Sequence, residues 1–492
     1  MNVQSPSYRT QLFINGKWEN ALSGKTFMTY NPATGEPLTE VAEAGVEDIN
    51  KAVEAAEQAF QNKWRDLPAD ERGEILYRVA EMIEKYRDEL GLLDTLNAGR
   101  PIRDTVGNDV TRIIKTFRYF AGLTDKIRGV HIPVQSSFVN YTRKEPYGVI
   151  AAIIPWNYPL SNAVTKIAPI LACGNTLVLK PAEQTPLSAL KLAEICSYAG
   201  LPEGVLNVVP GGPDAGEALS THSKIRKVAF TGSTSVGKKI VENSKYGLKS
   251  YTLELGGKSP NIIFEDADLE QAADAAVFSA FMNQGQTCTA GTRLLVQESI
   301  AEELVERLIS KAEDLQIGDP LDNGTQIGSL ISLEQYERVK NYIQLGIDEG
   351  AQLVFGGRPP TGQGKGYFLL PTIFDGVKNN MRIAQEEIFG PVLSVITFKD
   401  EKDAIRIAND TSYGLAASIW TRDLQRAHRM STLVETGLVW INTIHTLNPG
   451  SPYGGYKESG TGMEMGMEAA DQYMKTKSIW INSGDWISPF RK

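Results

Sequence analysis

Cysteine and histidine are scarce: the 492 residues hold three cysteines, Cys173, Cys196 and Cys288, and four histidines, His131, His222, His428 and His445. The cysteines are odd in number, widely spaced and without a CxxC pair, which excludes a disulfide framework and a thiolate zinc site and fits a reducing, cytoplasmic setting. No two histidines stand at metal-ligand spacing, so no metal is expected. A basic surplus is also missing. The net charge is −9, which argues against a nucleic-acid partner or an anionic membrane surface. Long apolar runs are absent as well, since GVIAAIIPW (148–156) reaches only about half of the ~18 residues a membrane span needs. The first ten residues carry no basic segment followed by an apolar core, so no secretory leader is expected.

What remains is an ordinary globular composition, 42% hydrophobic and 22% charged, with chain enough for two or three domains. Apolar β-branched runs at 148–155, 176–181, 205–211 and 227–232 read as buried strands, separated by helical stretches at 160–174, 185–200 and 214–222. Thr185 is expected to cap the second of these helices ahead of Pro186. Single helices between strands imply right-handed crossovers and a doubly wound parallel sheet. A second α/β set follows residue 255, with strands RLLVQ, QLVFGG, PTIF, VLSVITF, AASIWT and LVWINT. The stretch 46–124 is mainly helical and amphipathic. FVNYTRKEPYGV (138–149) alternates like an exposed ribbon, and the Trp-, Ile- and Phe-rich tail from 473 is expected to pack on a partner subunit.

Several segments carry possible chemistry. In GQTCTAGTR (285–293), Cys288 lies between two threonines rather than among Leu, Ile and Val. Gly285 and Gly291 are expected to leave access for a planar substrate, with backbone N–H groups to steady a thiolate or oxyanion; the other reading is an inert buried thiol. TLELGGKSPNIIF puts Glu254 on an apolar strand, either as a desolvated general base or as an edge residue. In PWNYP, Asn157 offers an amide donor to an oxyanion, or is an ordinary turn residue. Lys180 and Glu183 follow a strand at the sheet edge where ribose hydroxyls bind in open parallel sheets, and read equally as a solvated loop. VAFTGSTSVGKKI is strand, glycine turn and helix: Gly232 permits the turn, Ser233 or Thr234 caps the helix, and its N–H groups attract phosphate, although the dinucleotide fingerprint GxGxxG is missing.

Taken in order, PWNYP, KPAEQTP, FTGSTSVG, LELGGKSPNIIF, NQGQTCTAGTR, EEIFGPV and PYGGYKESGTG resemble the aldehyde dehydrogenase superfamily, from LFINGKW near the start to YMKTKSIW near the end. The resemblance implies an NAD-dependent, hydrolytic enzyme that oxidises an aldehyde to the acid. Cys288 matches the nucleophile, Glu254 the general base, and Asn157 with the Cys288 backbone N–H the oxyanion hole. Lys166 and Glu464 match a proton path from the base. Ile154, Pro155, Trp156 and Leu255 match the cofactor cleft, Lys180 and Glu183 the adenosine ribose contacts, Gly232 to Gly237 with Ser233 the pyrophosphate turn, and Glu387 and Phe389 the nicotinamide end. Glu183 would repel a 2′-phosphate, which favours NAD over NADP.

The resemblance further implies three parts: a nucleotide-binding domain (1–123 and 146–255), a catalytic domain (256–468), and an oligomerisation ribbon and tail (124–145 and 469–492) serving a homodimer or homotetramer. The substrate tunnel is assigned to Tyr158, Asn162, Thr165, Met282, Thr287, Thr289, Leu447 and Tyr453. With Ser161 it is more polar than in relatives lined by Leu, Met and Trp, and suits a medium-sized, partly polar or aromatic aldehyde. Met463 stands where many relatives carry Arg. A coenzyme A acylating dehydrogenase and a non-catalytic NAD-binding protein are the competing readings; Glu254 speaks for hydrolysis, because acylating relatives typically lack it.

Overall fold

The computed structural model describes residues 8–362 and 364–491. The first seven residues of the 1–123 segment, and Lys492 at the end of the tail, lie outside the described residues. An eight-stranded sheet has the order Lys17–Glu19, Leu12–Ile14, Leu206–Val208, Thr176–Lys180, Val149–Ile153, Lys227–Thr231, Ser250–Glu254, Gly460–Thr461. The five strands from Leu206–Val208 to Ser250–Glu254 pair in parallel, and antiparallel strands close both edges. Alternate residues of the central strand feed opposite cores. Ile150 and Ala152 join the helices Ala69–Lys85, Val110–Leu123, Pro159–Ala172 and Leu187–Tyr198, whereas Val149 and Ala151 join Val46–Ala59 and Pro213–Thr221. A strand covered on both faces must be apolar at every position, which is why VIAAI reads as a continuous run. Each fully buried Val or Leu contributes about 1.5–3 kcal/mol.

The chain order of the parallel strands reverses between Val149–Ile153 and Lys227–Thr231, so a crevice opens above their carboxyl ends. A second, seven-stranded sheet runs Gln352–Phe355, Thr372–Asp375, Val392–Phe398, Arg293–Gln297, Pro260–Ile263, Ala416–Trp420, Leu438–Ile441, parallel except for the first pair. Phe138–Pro146 pairs antiparallel with Met474–Asn482 and His131–Ile132, so the tail completes a ribbon of its own chain and leaves Trp480, Trp486, Ile487 and Phe490 exposed. No described helix is long and apolar enough to cross a membrane.

One local expectation is corrected. Thr185 does not cap its helix: the helix begins at Leu187 with no side-chain cap bond, and the buried Thr185 hydroxyl has no partner among the described residues. The charged stretch from Ala69 is two helices, Ala69–Lys85 and Arg87–Ala98, because Tyr86 leaves the helical region at φ −103° and ψ 20°.

Candidate active site

The two sheets meet where Ser250–Glu254 ends and Leu255–Ser259 crosses to Pro260–Ile263. On the first sheet, Val149–Ile153 runs out into Ile154 to Tyr158, and Pro159 at the first helical position starts the next helix. On the second, helix Leu269–Phe281 ends in a turn with Asn283, Gln284 and Gly285 at φ 51°, 57° and 69°. Two consecutive non-glycine residues in the left-handed region cost about 1–3 kcal/mol each and persist only when surroundings hold them. Here the Asn283 side chain donates to the carbonyls of Asn157 and Gln286 at 3.0 and 3.1 Å, and Arg100 Nε donates to Asn283 Oδ1 at 3.2 Å. The turn delivers Cys288 to the carboxyl ends of the first sheet.

Contrary to the expectation from sequence, the two glycines of this segment do not open it to substrate. A Cβ at Gly285 would strike the Gly390 carbonyl, and one at Gly291 would lie 2.6 Å from Ser279 Oγ, which accepts the Gly291 N–H. They let neighbouring chain approach closely. Access comes instead from two cavities that share Cys288 and Glu254.

The first cavity, about 290 Å³, is lined by all eight tunnel residues expected from sequence, Tyr158, Asn162, Thr165, Met282, Thr287, Thr289, Leu447 and Tyr453, with Ser161. Sequence reading missed Arg100, Asp104, Asp109, Arg112, Phe278 and His445 on the same wall. The Tyr158 hydroxyl bonds Thr287 Oγ1 at 2.8 Å, and Thr289 Oγ1 bonds His445 Nδ1 at 3.3 Å. Burial pulls His445 down to about 4, leaving it neutral at ordinary pH.

The second, about 680 Å³, is the crevice at the strand-order reversal, lined by Pro155, Trp156, Gly232, Ser233, Leu255, Glu387 and Phe389 among the expected residues. Ser233 caps helix Thr234–Asn243 by accepting the Val236 N–H at 3.4 Å, so the free N–H groups of that helix start face the cleft beside Lys238. Trp156 and Phe389 meet edge to face at 5.2 Å. Gln335 and Arg338, also missed, donate to the backbone carbonyls of Phe389 and Glu387 at 2.7 Å each and fix that loop. Ile154, Lys180, Glu183 and Gly237 are not among its lining residues. Lys180 lies at a strand end, 3.6 Å from Glu183, and Gly237 packs inside the helix, where a Cβ would lie 2.7 Å from the Leu255 side chain. A cleft at a topological switch point, a helix start free to bind phosphate, Gly232 and Gly256 where a Cβ would collide with Phe230 and Glu387, and two aromatic rings together fit a dinucleotide.

At the meeting point, Cys288 Sγ lies 3.2 Å from the Tyr453 hydroxyl. Desolvation pushes its thiol up to about 11, with Tyr453 and the Thr289 N–H pulling down and Glu387 and Glu254 pushing up. Glu254 is buried, both carboxylate oxygens lack a partner among the described residues, and burial raises it well above the carboxylate range against the pull of Lys166. Lys166, fully buried, forms an ion pair with Glu464 and is lowered by burial to about 7. Glu464 and Tyr453 exchange backbone bonds of 2.7 and 2.6 Å, which ties this pair to the Cys288 contact. Asn157 donates from Nδ2 to the Gln286 carbonyl at 3.0 Å, which holds its amide against the Cys288 turn with a second N–H to spare. Glu387 accepts the Gly257 N–H at 3.0 Å and is pushed by desolvation up to about 7. Nothing in the structure explains Met463.

The family model described as Aldehyde dehydrogenase family matches residues 18–479. Retinal dehydrogenase 2 of Homo sapiens is 48% identical over 477 residues, covering 96% of this chain and 92% of that protein. The mitochondrial aldehyde dehydrogenase of Rattus norvegicus is 46% identical over 484 residues, 98% of this chain and 93% of that one. Among solved structures, the NAD+ complex of aldehyde dehydrogenase from Bacillus cereus superposes with a TM-score of 0.94 at 46% identity, covering 96% of both chains.

Proposed function

This chain belongs to the aldehyde dehydrogenase family and oxidises an aldehyde to the carboxylic acid; on that premise we propose that Cys288, Asn157 and Glu254 carry the reaction, with NAD as the acceptor. One observation carries the reading: the tunnel and the dinucleotide cleft meet at Cys288 and Glu254.

Cys288 reacts as the thiolate, its proton given up to water beforehand: Sγ bonds to the aldehyde carbon, and the carbonyl electron pair moves to oxygen. The spare Asn157 N–H and the Cys288 backbone N–H receive that oxyanion. NAD held in the cleft would supply the acceptor for the hydride of the substrate carbon. The acyl group is then held on Cys288 as a thioester. Glu254, kept basic by desolvation, accepts a proton from water, the hydroxide attacks the thioester carbon, and Cys288 leaves as the acid is released. The pair Lys166 and Glu464 accepts the proton from Glu254. Gly232, Ser233 and the helix start would hold the pyrophosphate, Glu387 and Phe389 the nicotinamide end, with Pro155, Trp156 and Leu255 lining the cleft, Gly237 packed behind Leu255, and Ile154 buried next to Pro155. Lys180 and Glu183, on the same sheet edge, would take the adenosine ribose and disfavour NADP.

We assign 1–123 and 146–255 to nucleotide binding, 256–468 to catalysis, and the ribbon with its apolar tail (124–145 and 469–492) to a homo-oligomer contact. That last assignment is supported by the exposure of Trp480, Trp486, Ile487 and Phe490. The three free cysteines support a cytoplasmic setting. NADH absorbance with an aldehyde panel tests the reading: turnover by the wild type and none by Cys288→Ala is expected, whereas NADH from Cys288→Ala would remove Cys288 from the mechanism.

A further inference from the structure

The far end of the substrate cavity is charged: Arg100, Arg112, Asp104 and Asp109 line it. Arg100 is committed: it pairs with the buried Asp109, donates from Nε to Asn283, and stacks its guanidinium 4.0 Å from the Tyr158 ring centroid. Asp104 accepts from Asn108 at 3.3 Å and lies 4.0 Å from Arg103. Arg112 is different. Its Nη2 donates to Asp109 Oδ1 and to Ser161 Oγ, both at 3.1 Å, while Nε and Nη1 have no partner among the described residues. The side chain is 34% exposed and lines the cavity. Asp109 serves both Arg100 and Arg112, so the one carboxylate that holds Arg112 is shared. Lys166 and Glu464 pair with each other at the opposite, reactive end.

Its reach is set by Tyr158. The Arg112 guanidinium lies 5.8 Å from the Tyr158 ring centroid, and the hydroxyl of that ring bonds Thr287, next to Cys288. The path from the free donors to the nucleophile therefore runs past the Tyr158 ring and on through Thr287, across walls that carry Ser161, Asn162 and Thr165. A neutral aldehyde that reaches this wall would offer Nε and Nη1 of Arg112 no acceptor, whereas a terminal carboxylate would supply one.

We propose that the substrate is an aldehyde of medium length bearing a carboxylate at its far end, an ω-oxo acid, and that Arg112 is the residue that selects it. The inference rests on the reading of Cys288 as the nucleophile.

The test compares 6-oxohexanoate with hexanal, two aldehydes that differ in the terminal carboxylate. In the wild type, kcat/KM for 6-oxohexanoate exceeds that for hexanal by about tenfold or more, and Arg112→Leu lowers that ratio about ten- to hundred-fold through KM, as loss of a charge-assisted hydrogen bond requires. Arg112→Lys, which keeps the charge and loses the planar fork, falls between. Equal or better use of hexanal by the wild type, or an unchanged ratio in Arg112→Leu, overturns the proposal. Dissociation constants for both compounds on Cys288→Ala with NAD bound separate recognition from turnover. Absence of NADH with either compound would count against the chemistry proposed for Cys288, and the binding ratio would still decide the role of Arg112. If Arg112→Leu does not fold, Arg112→Lys and the wild-type ratio at rising salt decide between the two outcomes, since an ionic preference declines with salt and an apolar one does not.

Discussion

Among the described residues no imidazole or ammonium contacts Cys288, so its thiolate depends on hydrogen bonds, and the Tyr453 hydroxyl at 3.2 Å is the side-chain donor. The phenol is itself pushed well above its usual range by burial and by the neighbouring Cys288 and Glu254, so it stays protonated and can only donate to a thiolate. Tyr453→Phe removes that one oxygen and little volume. A hydrogen bond to a charged group is worth about 1.5–3 kcal/mol; at 1.36 kcal/mol per pH unit, the Cys288 titration moves up by about one to two pH units. The starting value is already about 11, so below it the thiolate fraction falls about ten- to hundred-fold at any given pH. The rate of alkylation by iodoacetamide against pH reads this directly. Cys173 and Cys196 are buried and both pushed to about 12, so they do not mask the signal. A midpoint that stays put or drops in Tyr453→Phe would show that the phenol does not hold the thiolate, and would leave the Thr289 N–H as its support.

Lys166→Met removes the cation that opposes the upward push on Glu254, so Glu254 keeps its proton to higher pH and the acidic limb of the thioester hydrolysis rate moves to higher pH. The same change leaves Glu464 buried without its partner, a loss of about 3–5 kcal/mol that urea unfolding would read. Gly291→Ala forces a Cβ to within 2.6 Å of Ser279 Oγ and lowers stability by about 1–3 kcal/mol, seen as a lower Tm; an unchanged Tm would mean that Ser279 yields freely.

The parallel strands were legible because burial on both faces leaves near-continuous apolar runs such as VIAAI. The short strands Leu12–Ile14 and Lys17–Glu19 were not: three residues give no periodicity, and their place is set by pairing with Leu206–Val208, far away in sequence. Cys288, Glu254 and Asn157 each had an ordinary alternative on local chemistry and were singled out only by the ordered set of motifs; all three line one cleft. The charged wall escaped notice for a physical reason. Arg112 is a charged residue in an amphipathic helix, where such residues ordinarily face water; only the packing of Val110–Leu123 against Pro159–Ala172, beside Ser161, turns it to the cavity. The glycines flanking Cys288 misled in the opposite direction, since an absent side chain says nothing about whether substrate or neighbouring backbone fills the space.

If Cys288 carries the acyl group and Glu254 releases it, the two roles come apart in Glu254→Gln mixed rapidly with NAD and an aldehyde. One NADH per active site is expected, then a stall, with the acyl mass retained on Cys288 in the intact protein. Steady turnover by Glu254→Gln, or an acyl adduct on any residue other than Cys288, would contradict that division of labour.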